Sequence, residues 1–459
     1  MDTLSLQNQF GFGYPATVFL GAIFIFISRL FSQNDPVLAV NLMSVVMSSL
    51  CIPVFFAIAE KLFGRLTAAL SSILFSLTPI FLGVSVFGKS HTPSLFFLLL
   101  SLYSLLTFFD TRAKRLLIAG GFFMGLMGAA RLQDMVLMVI PFSFLCVLGT
   151  NSEDHSKTRN ESLQRLSVFW VTALAVTLIG HLPFLLQKDH ALYAHNILKF
   201  WGQGITWNFR GMFSSSLAVS FVFLIRALSE AGSVMSLVGL VFIGKKSPRI
   251  LFFFLLWLCF PLFFYGNLHT TVPRFFTFIL PPLIMAQGYL FAKSMSINSA
   301  FRITSTAIYC LILYLTFTSI FPLLYARHAY ALLPDYAKWV SKTMGKDAWL
   351  ITTDDRLFYE YYGNVNVLGR PLGLRFLEQK ALSDFKKKVD ALLDNNTAVY
   401  ITSVGLFSYD PDKKFSSLMN ENYRWEIVGT RPYEDWHRDI LKQNIVPNQL
   451  FRITPGGSM

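Results

Sequence analysis

In "ILFFFLLWLCFPLFFYGNLHTTVPRFFTFILPPLIM", residues 250–285, two strongly apolar runs flank a short gap that holds His269 and Arg274. A helix that crosses a bilayer needs about 20 predominantly apolar residues, within a range of about 17–25. Two such runs joined by a few polar residues therefore read as two spans meeting at one membrane edge. The same pattern recurs along the chain. Apolar runs occupy residues 36–60, 66–87, 93–109, 116–130, 135–148, 167–186, 214–243, 250–265, 275–291 and 303–325. They predict a bundle of about ten spans over 36–325, with 116–130 and 135–148 notably short. Residues 1–35 read as a juxtamembrane or interfacial segment, since the run after Tyr14 carries Arg29 and suits a helix lying in the interface better than a span.

Composition agrees. Of 459 residues 54% are hydrophobic and only 14% charged, against about a quarter charged in soluble proteins. The net charge of +13 does not point to nucleic acid, which would need basic residues clustered on a soluble domain. Lys61 with Arg65, then Arg112 to Arg115, then 155–165, 245–249 and 293–302 occupy every second loop. That alternation is the bias that places Lys and Arg on the cytoplasmic side. The remaining loops, and everything after Tyr325, then face outward. The four cysteines all fall inside apolar runs and read as small buried hydrophobes, with no disulfide or metal spacing. The opening residues are polar and lack a basic region, so no cleavable signal peptide is expected.

From 326 to 459 the chain changes character. "DAWLITTD", "AVYITSV" and "RWEIVGT" are short β-branched and aromatic runs, alternating with helical stretches such as "LEQKALSDFKKKVDALLDN". This predicts a small α/β domain on the extracytoplasmic side.

Charges at the outer edge are costly and are candidates for function. Arg274 either snorkels to head groups or offers its planar fork to phosphate oxygens. His269 adds a second donor or is a plain loop histidine. Arg131 and Asp134, in "GAARLQDMVLM", either pair with each other or serve a ligand. Lys89 and His91 precede Pro93, where His91 can simply open a helix. Trp201 and Trp207 sit in a long loop that reads as an amphipathic helix at the head-group level, with a role in lining a cavity as the addition. Arg226 and Glu230, four apart, predict a structural pair on one helical face. Glycine-rich phosphate loops, His-x-x-x-His pairs and Gly-x-Ser-x-Gly elbows are absent from the sequence, which argues against nucleotide hydrolysis.

Taken in order, several segments resemble the GT-C superfamily of membrane glycosyltransferases, among them the protein O-mannosyltransferases and the lipid A aminoarabinose transferases. "FGFGYPATVFLGAIF", with Tyr14, looks like the family's juxtamembrane segment. "AIAEKLFGRLTAALSSILFSLTPIFLGVS" looks like its Leu-Phe-Gly-Arg loop and Ala-rich span. "MGAARLQDMVLMVIPF" is similar to its Ala-Arg segment, "TTVPRFFTFILPPLIMAQG" to its Arg-aromatic and Pro-Pro span, and "ITTDDRLFYEYYGN" to the start of its outer domain.

The resemblance implies a bacterial inner-membrane enzyme that moves a sugar, with inversion, from a polyprenyl-phosphate donor to a glycan, lipid or protein acceptor on the outer face. It implies that Arg274, with His269, Arg131 and Lys89, holds the donor phosphate, and that Tyr14, Trp201 and Trp207 line the cavity. No cofactor is named, and assistance by a divalent metal is left open. Two departures stand out. The family's first span and the acidic loop after it have no counterpart here, Asp2 being the sole acid before Asp35. His91 stands where relatives often carry an acid. Its imidazole is one candidate base and Asp134 the other. A shortened chain, an acid placed elsewhere and a non-catalytic binding partner remain the alternatives. From another class, a lipid-glycan flippase would show related halves and broken, charged helices.

Overall fold

The computed structural model describes residues 14–31, 35–86, 88–149, 159–186, 215–266, 273–330, 333–352, 356–370, 379–407, 410, 413–431 and 448–456. The chain divides into two compact units, residues 1–320 and 321–459.

The first unit is helical. In chain order its helices are α1 (Pro15–Leu30), α2 (Pro36–Phe63), α3 (Arg65–Leu77), α4 (Pro79–Ser85), α5 (His91–Thr111), α6 (Lys114–Ala130), α7 (Leu132–Leu148) and α8 (Arg159–Leu185). Then come α9 (Ser215–Leu228), α10 (Glu230–Lys246), α11 (Pro248–Gly266), a 3-10 helix at Pro273–Ile279, α12 (Leu280–Met295) and α13 (Ser299–Tyr330), which runs on past the unit boundary at Phe321. Local chemistry sets the boundaries. Asp35 caps α2, its carboxylate accepting from the backbone N–H groups of Val37 and Leu38 at 2.9 and 3.2 Å, with Pro36 opening the helix. Gly64, at φ 91°, adopts a backbone open to glycine and turns α2 into α3.

Among the described residues six helices are long and apolar enough to cross a membrane, or up to eight if each of two bent pairs counts as one span. α1 and α7 are shorter apolar helices. Two of the sequence's apolar runs are not single rods. The run 66–87 bends by 63° between α3 and α4, and 214–243 bends by 97° between α9 and α10. The first bend follows from Pro79, which cannot continue a helix. The second sits at Ser229, whose φ of 63° and ψ of 163° break the helix. That break overturns the expected Arg226–Glu230 pair: the two residues stand on different helices, and the ion pairs of the described residues do not include them. The cysteines divide as well. Cys51 and Cys146 are buried as expected, but Cys259 and Cys310 lie exposed on the bundle's outside, because an apolar run in a membrane protein has an outward face too.

α6 packs against α8 through small residues. A Cβ on Gly121 would lie 2.4 Å from the Phe169 carbonyl, and one on Gly125 2.6 Å from that of Ala173. Close approach of this kind is how helices associate without a hydrophobic drive between them.

The second unit is α/β. It contains α14 (Leu333–Met344), β1 (Trp349–Thr352), α15 (Arg356–Gly363), β2 (Asn366–Gly369), α16 (Gln379–Asp394), β3 (Val399–Thr402), α17 (Ser403–Phe407), α18 (Lys414–Asn422), β4 (Tyr423–Arg431) and β5 (Asn448–Pro455). The sheet runs β2-β1-β3-β5-β4. β1 pairs in parallel with β2 and β3, while β5 is antiparallel to β3 and β4. Leu350, Tyr400 and Leu450 pack with α14 on one face. Ile351, Ile401 and Phe451 pack with α16 and α18 on the other. Covering both faces explains why β1 and β3 read as nearly continuous apolar runs.

Candidate active site

Five segments from across the sequence meet around Arg131. This residue is the hinge between α6 and α7, extended at φ −156° and ψ 97°, so its backbone ends one helix and starts the next. Its N–H reaches the Met127 carbonyl at 2.6 Å, and its own carbonyl accepts from the N–H of Asp134 at 3.1 Å. One turn into α7, the Asp134 carboxylate comes back to the guanidinium, 2.8 Å from Nε. Both side chains are almost wholly buried, 2% and 4% exposed.

Burying two charges is unfavourable unless the remaining lone pairs and protons are satisfied, and here they are. Asp134 accepts two further hydrogen bonds, from the Ser94 hydroxyl of α5 at 2.7 Å and from the Tyr265 hydroxyl of α11 at 2.5 Å. The Arg131 guanidinium donates to the same Tyr265 hydroxyl and to Ser90 Oγ, each at 3.3 Å. Its Nη1 also lies 3.2 Å from both ring nitrogens of His91. A single nitrogen equidistant from both cannot be aligned with both lone pairs, so the guanidinium lies against the ring edge.

Aromatic rings close the cluster. His91, the first residue of α5, stacks on Phe275 of the 3-10 helix at 5.9 Å and 8°. Phe275 stacks on Tyr265 at 4.9 Å and 18°. The Arg131 guanidinium lies 5.8 Å from the Phe275 ring and 5.5 Å from that of Tyr14, distances at which ring quadrupoles attract a cation. Tyr14, just before α1, accepts a hydrogen bond on its hydroxyl from Gln133 at 3.2 Å.

Of the residues expected from sequence, the structure brings together Arg131, Asp134, His91 and Tyr14. Lys89 and Arg274, both half-buried, adjoin the cluster in the chain, two residues before His91 and one before Phe275. His269, Trp201 and Trp207 lie outside the described residues. Between the two readings of Arg131 and Asp134, the mutual pair is what forms. The sequence reading missed Tyr265, Ser94 and Phe275. Tyr265 carries the weak signal that it ends an apolar run, as interface aromatics do. Ser94 sits inside a run and gives none. Among the described residues, no three His, Cys, Asp or Glu side chains converge closely enough to hold a metal ion.

The model of the dolichyl-phosphate-mannose-protein mannosyltransferase family matches residues 17–187, a segment that includes Lys89, His91, Ser94, Arg131 and Asp134. No curated protein matches the chain in sequence. Among solved structures, ArnT from Cupriavidus metallidurans bound to undecaprenyl phosphate superposes with a TM-score of 0.61 at 13% identity, covering 96% of this chain and 88% of ArnT. The oligosaccharyltransferase AglB from Archaeoglobus fulgidus, in complex with an inhibitory peptide and a dolichol-phosphate, gives 0.58 at 13% identity over 90% of this chain and 65% of AglB. The mycobacterial arabinofuranosyltransferase AftD gives 0.50 at 14% identity, over 94% of this chain but 36% of its own length. With a helical bundle, a small C-terminal sheet and these neighbours, the chain has the fold of the GT-C superfamily of membrane glycosyltransferases.

Proposed function

We propose that the chain transfers a sugar from a polyprenyl-phosphate donor to a glycan, lipid or protein acceptor on the outer face of a bacterial inner membrane. The observation that carries this reading is the buried Arg131–His91 contact at 3.2 Å, with His91 stacked on Phe275 and the half-buried Lys89 and Arg274 next to those two rings in the chain, at one edge of a GT-C-type bundle. Support comes also from the neighbours, two of which were solved with a polyprenyl phosphate.

The chemistry assigns different work to the three cations. Arg131 is 2% exposed and its donors are engaged with Asp134, Tyr265 and Ser90. It is a positioning residue that holds His91 and the ring stack in place. Lys89 and Arg274 are half-buried and are the groups that reach the donor phosphate. In the transfer, a bond forms between the acceptor oxygen and the anomeric carbon while the bond from that carbon to the lipid phosphate breaks. The electron pair stays on the phosphate, and the acceptor's proton ends on the released phosphate or on solvent. Negative charge grows on the leaving group, so fixed cations beside it stabilise the transition state more than the ground state.

Purified full chain, given labelled polyprenyl-phosphate sugars and a membrane-extract acceptor pool, is expected to release polyprenyl phosphate and label an acceptor. Accumulation of labelled donor on the far side of proteoliposomes, with the donor intact, would favour transport instead. The two bent spans are the feature a transporter would share.

A further inference from the structure

At the other end of the same helices stands a second concentration of positive charge that the transfer reading does not use. Lys245 and Lys246 close α10, and Lys293 lies in the last turn of α12. Lys245 and Lys293, from different helices, share one ring: their Nζ atoms lie 5.5 and 4.9 Å from the centre of Phe242. Lys246 sits over two rings, 5.8 Å from Phe63 and 5.4 Å from Tyr289, which are themselves 5.1 Å apart. Arg302 adds a fourth cation nearby, its Nε donating to the Met295 carbonyl at 3.2 Å. All three lysines are exposed. Among the described residues none has a carboxylate within ion-pair distance. By contrast Lys61, also at this end, is matched by Asp110 at 2.6 Å.

Below these lysines α10 presents an apolar stripe. Val234, Leu237, Val238 and Val241 are 54%, 62%, 38% and 58% exposed. Their spacing puts them on one face of the helix, and Lys245 follows Val241 by four residues, on that same face. An apolar track leading to uncompensated ammonium groups matches one molecule, a lipid lying along the helix with its phosphate at the lysines. We infer that this end of the bundle binds the head group of an anionic phospholipid, held by Lys245, Lys246 and Lys293 with an acyl chain along α10. A zwitterionic head would bring its own cation against the cluster, whereas an anionic head supplies the missing counter-charge. The distance from the first cluster is the length of α11, which begins two residues after Lys246 and ends one residue beyond Tyr265. Its 19 residues span about 28 Å at ~1.5 Å per residue. The inference stands independently of the donor reading.

Native mass spectrometry of the full chain, released from nanodiscs of equal phosphatidylglycerol and phosphatidylcholine, tests it. The wild-type chain is expected to retain phosphatidylglycerol, and Lys245→Gln/Lys246→Gln/Lys293→Gln to lose that preference by about ten-fold or more, since each lysine near an anionic head contributes on the order of a kcal/mol. The three Lys→Arg changes together should restore it, and Lys338→Gln/Lys342→Gln in the second unit should leave it intact. Equal retention of the two lipids by the wild-type chain, or an unchanged preference in the triple Gln variant, would overturn the site. So would full displacement of the lipid by millimolar inorganic phosphate, which would mark a soluble-anion site.

Discussion

At Asp134 three donors, from the α6–α7 hinge, α5 and α11, meet one carboxylate: Arg131 Nε, Ser94 Oγ and the Tyr265 hydroxyl. Removing the carboxylate leaves a buried guanidinium without its counter-charge, which costs about 3–5 kcal/mol. Asp134→Ala is therefore expected to lower thermal stability in detergent by several kcal/mol, whereas Tyr265→Phe, which strands an acceptor of Asp134 and a donor of Arg131, should cost about 1–3 kcal/mol. The paired change Arg131→Met/Asp134→Leu separates stability from positioning. Apolar replacement of a buried ion pair is often neutral, so the double variant should unfold near the wild-type temperature yet transfer sugar poorly, because His91 and Phe275 lose the group that holds them. Recovery of both stability and transfer would remove any functional role for the pair. At Arg274 the expectation is different. Arg274→Ala should fold normally and lower kcat/KM by about 10²–10³-fold, the usual loss for one donor facing developing charge. Arg274→Lys should recover part of it, as a point charge without the fork. These residues were legible in unequal measure. A buried charge in an apolar sequence announces itself, so Arg131, Asp134, Arg274 and Lys89 could be named from spacing alone. Ser94 and Phe275 could not, since a serine and a phenylalanine within an apolar run look like every other.

Elements were legible where hydropathy alone decides them and illegible where backbone geometry does. Apolar length identifies α2, α5, α11 and α12 directly, but it carries no information about a bend, and the run 214–243 conceals a 97° break. The break rests on Ser229, at φ 63° and ψ 163°, a backbone region that belongs almost wholly to glycine and costs other residues about 1–3 kcal/mol. The same serine caps α10, its Oγ accepting from the Gly232 N–H at 3.1 Å. The two effects have opposite signs and predict a pair of outcomes. Ser229→Gly relieves the backbone and loses only a few tenths of a kcal/mol at the cap, so a net gain of about 1 kcal/mol in stability is expected. Ser229→Ala keeps the backbone cost and gives up the cap, so a loss of about 1 kcal/mol is expected. Thermal unfolding of the two variants reads both. A destabilised glycine variant would mean that the bend is held by packing of α9 and α10 and not by this residue.

For the whole molecule, charge alternation between loops predicts the topology, and short β-branched and aromatic runs between helical stretches predict the second unit. Lys245, Lys246 and Lys293 lie at one end of α11, and His91, Arg131 and Tyr265 gather at the other. A polyprenyl-phosphate sugar used on the outer face requires the second of these ends to face outward. Single-cysteine variants in a background free of Cys51, Cys146, Cys259 and Cys310 test this with a membrane-impermeant maleimide. Lys89→Cys, beside the Arg131 cluster, should label in intact cells. Asn298→Cys, in the exposed turn after α12, should label only once the membrane is opened. α13 starts at the next residue and contains a 23-residue stretch long and apolar enough to cross. Lys346→Cys, exposed in the second unit, should therefore label with Lys89→Cys. Had the Arg131 end faced the cytoplasm, Asn298→Cys alone would label in intact cells. Cations at that end could then hold a phosphate only on the inner leaflet, and transfer on the outer face would be lost as a function.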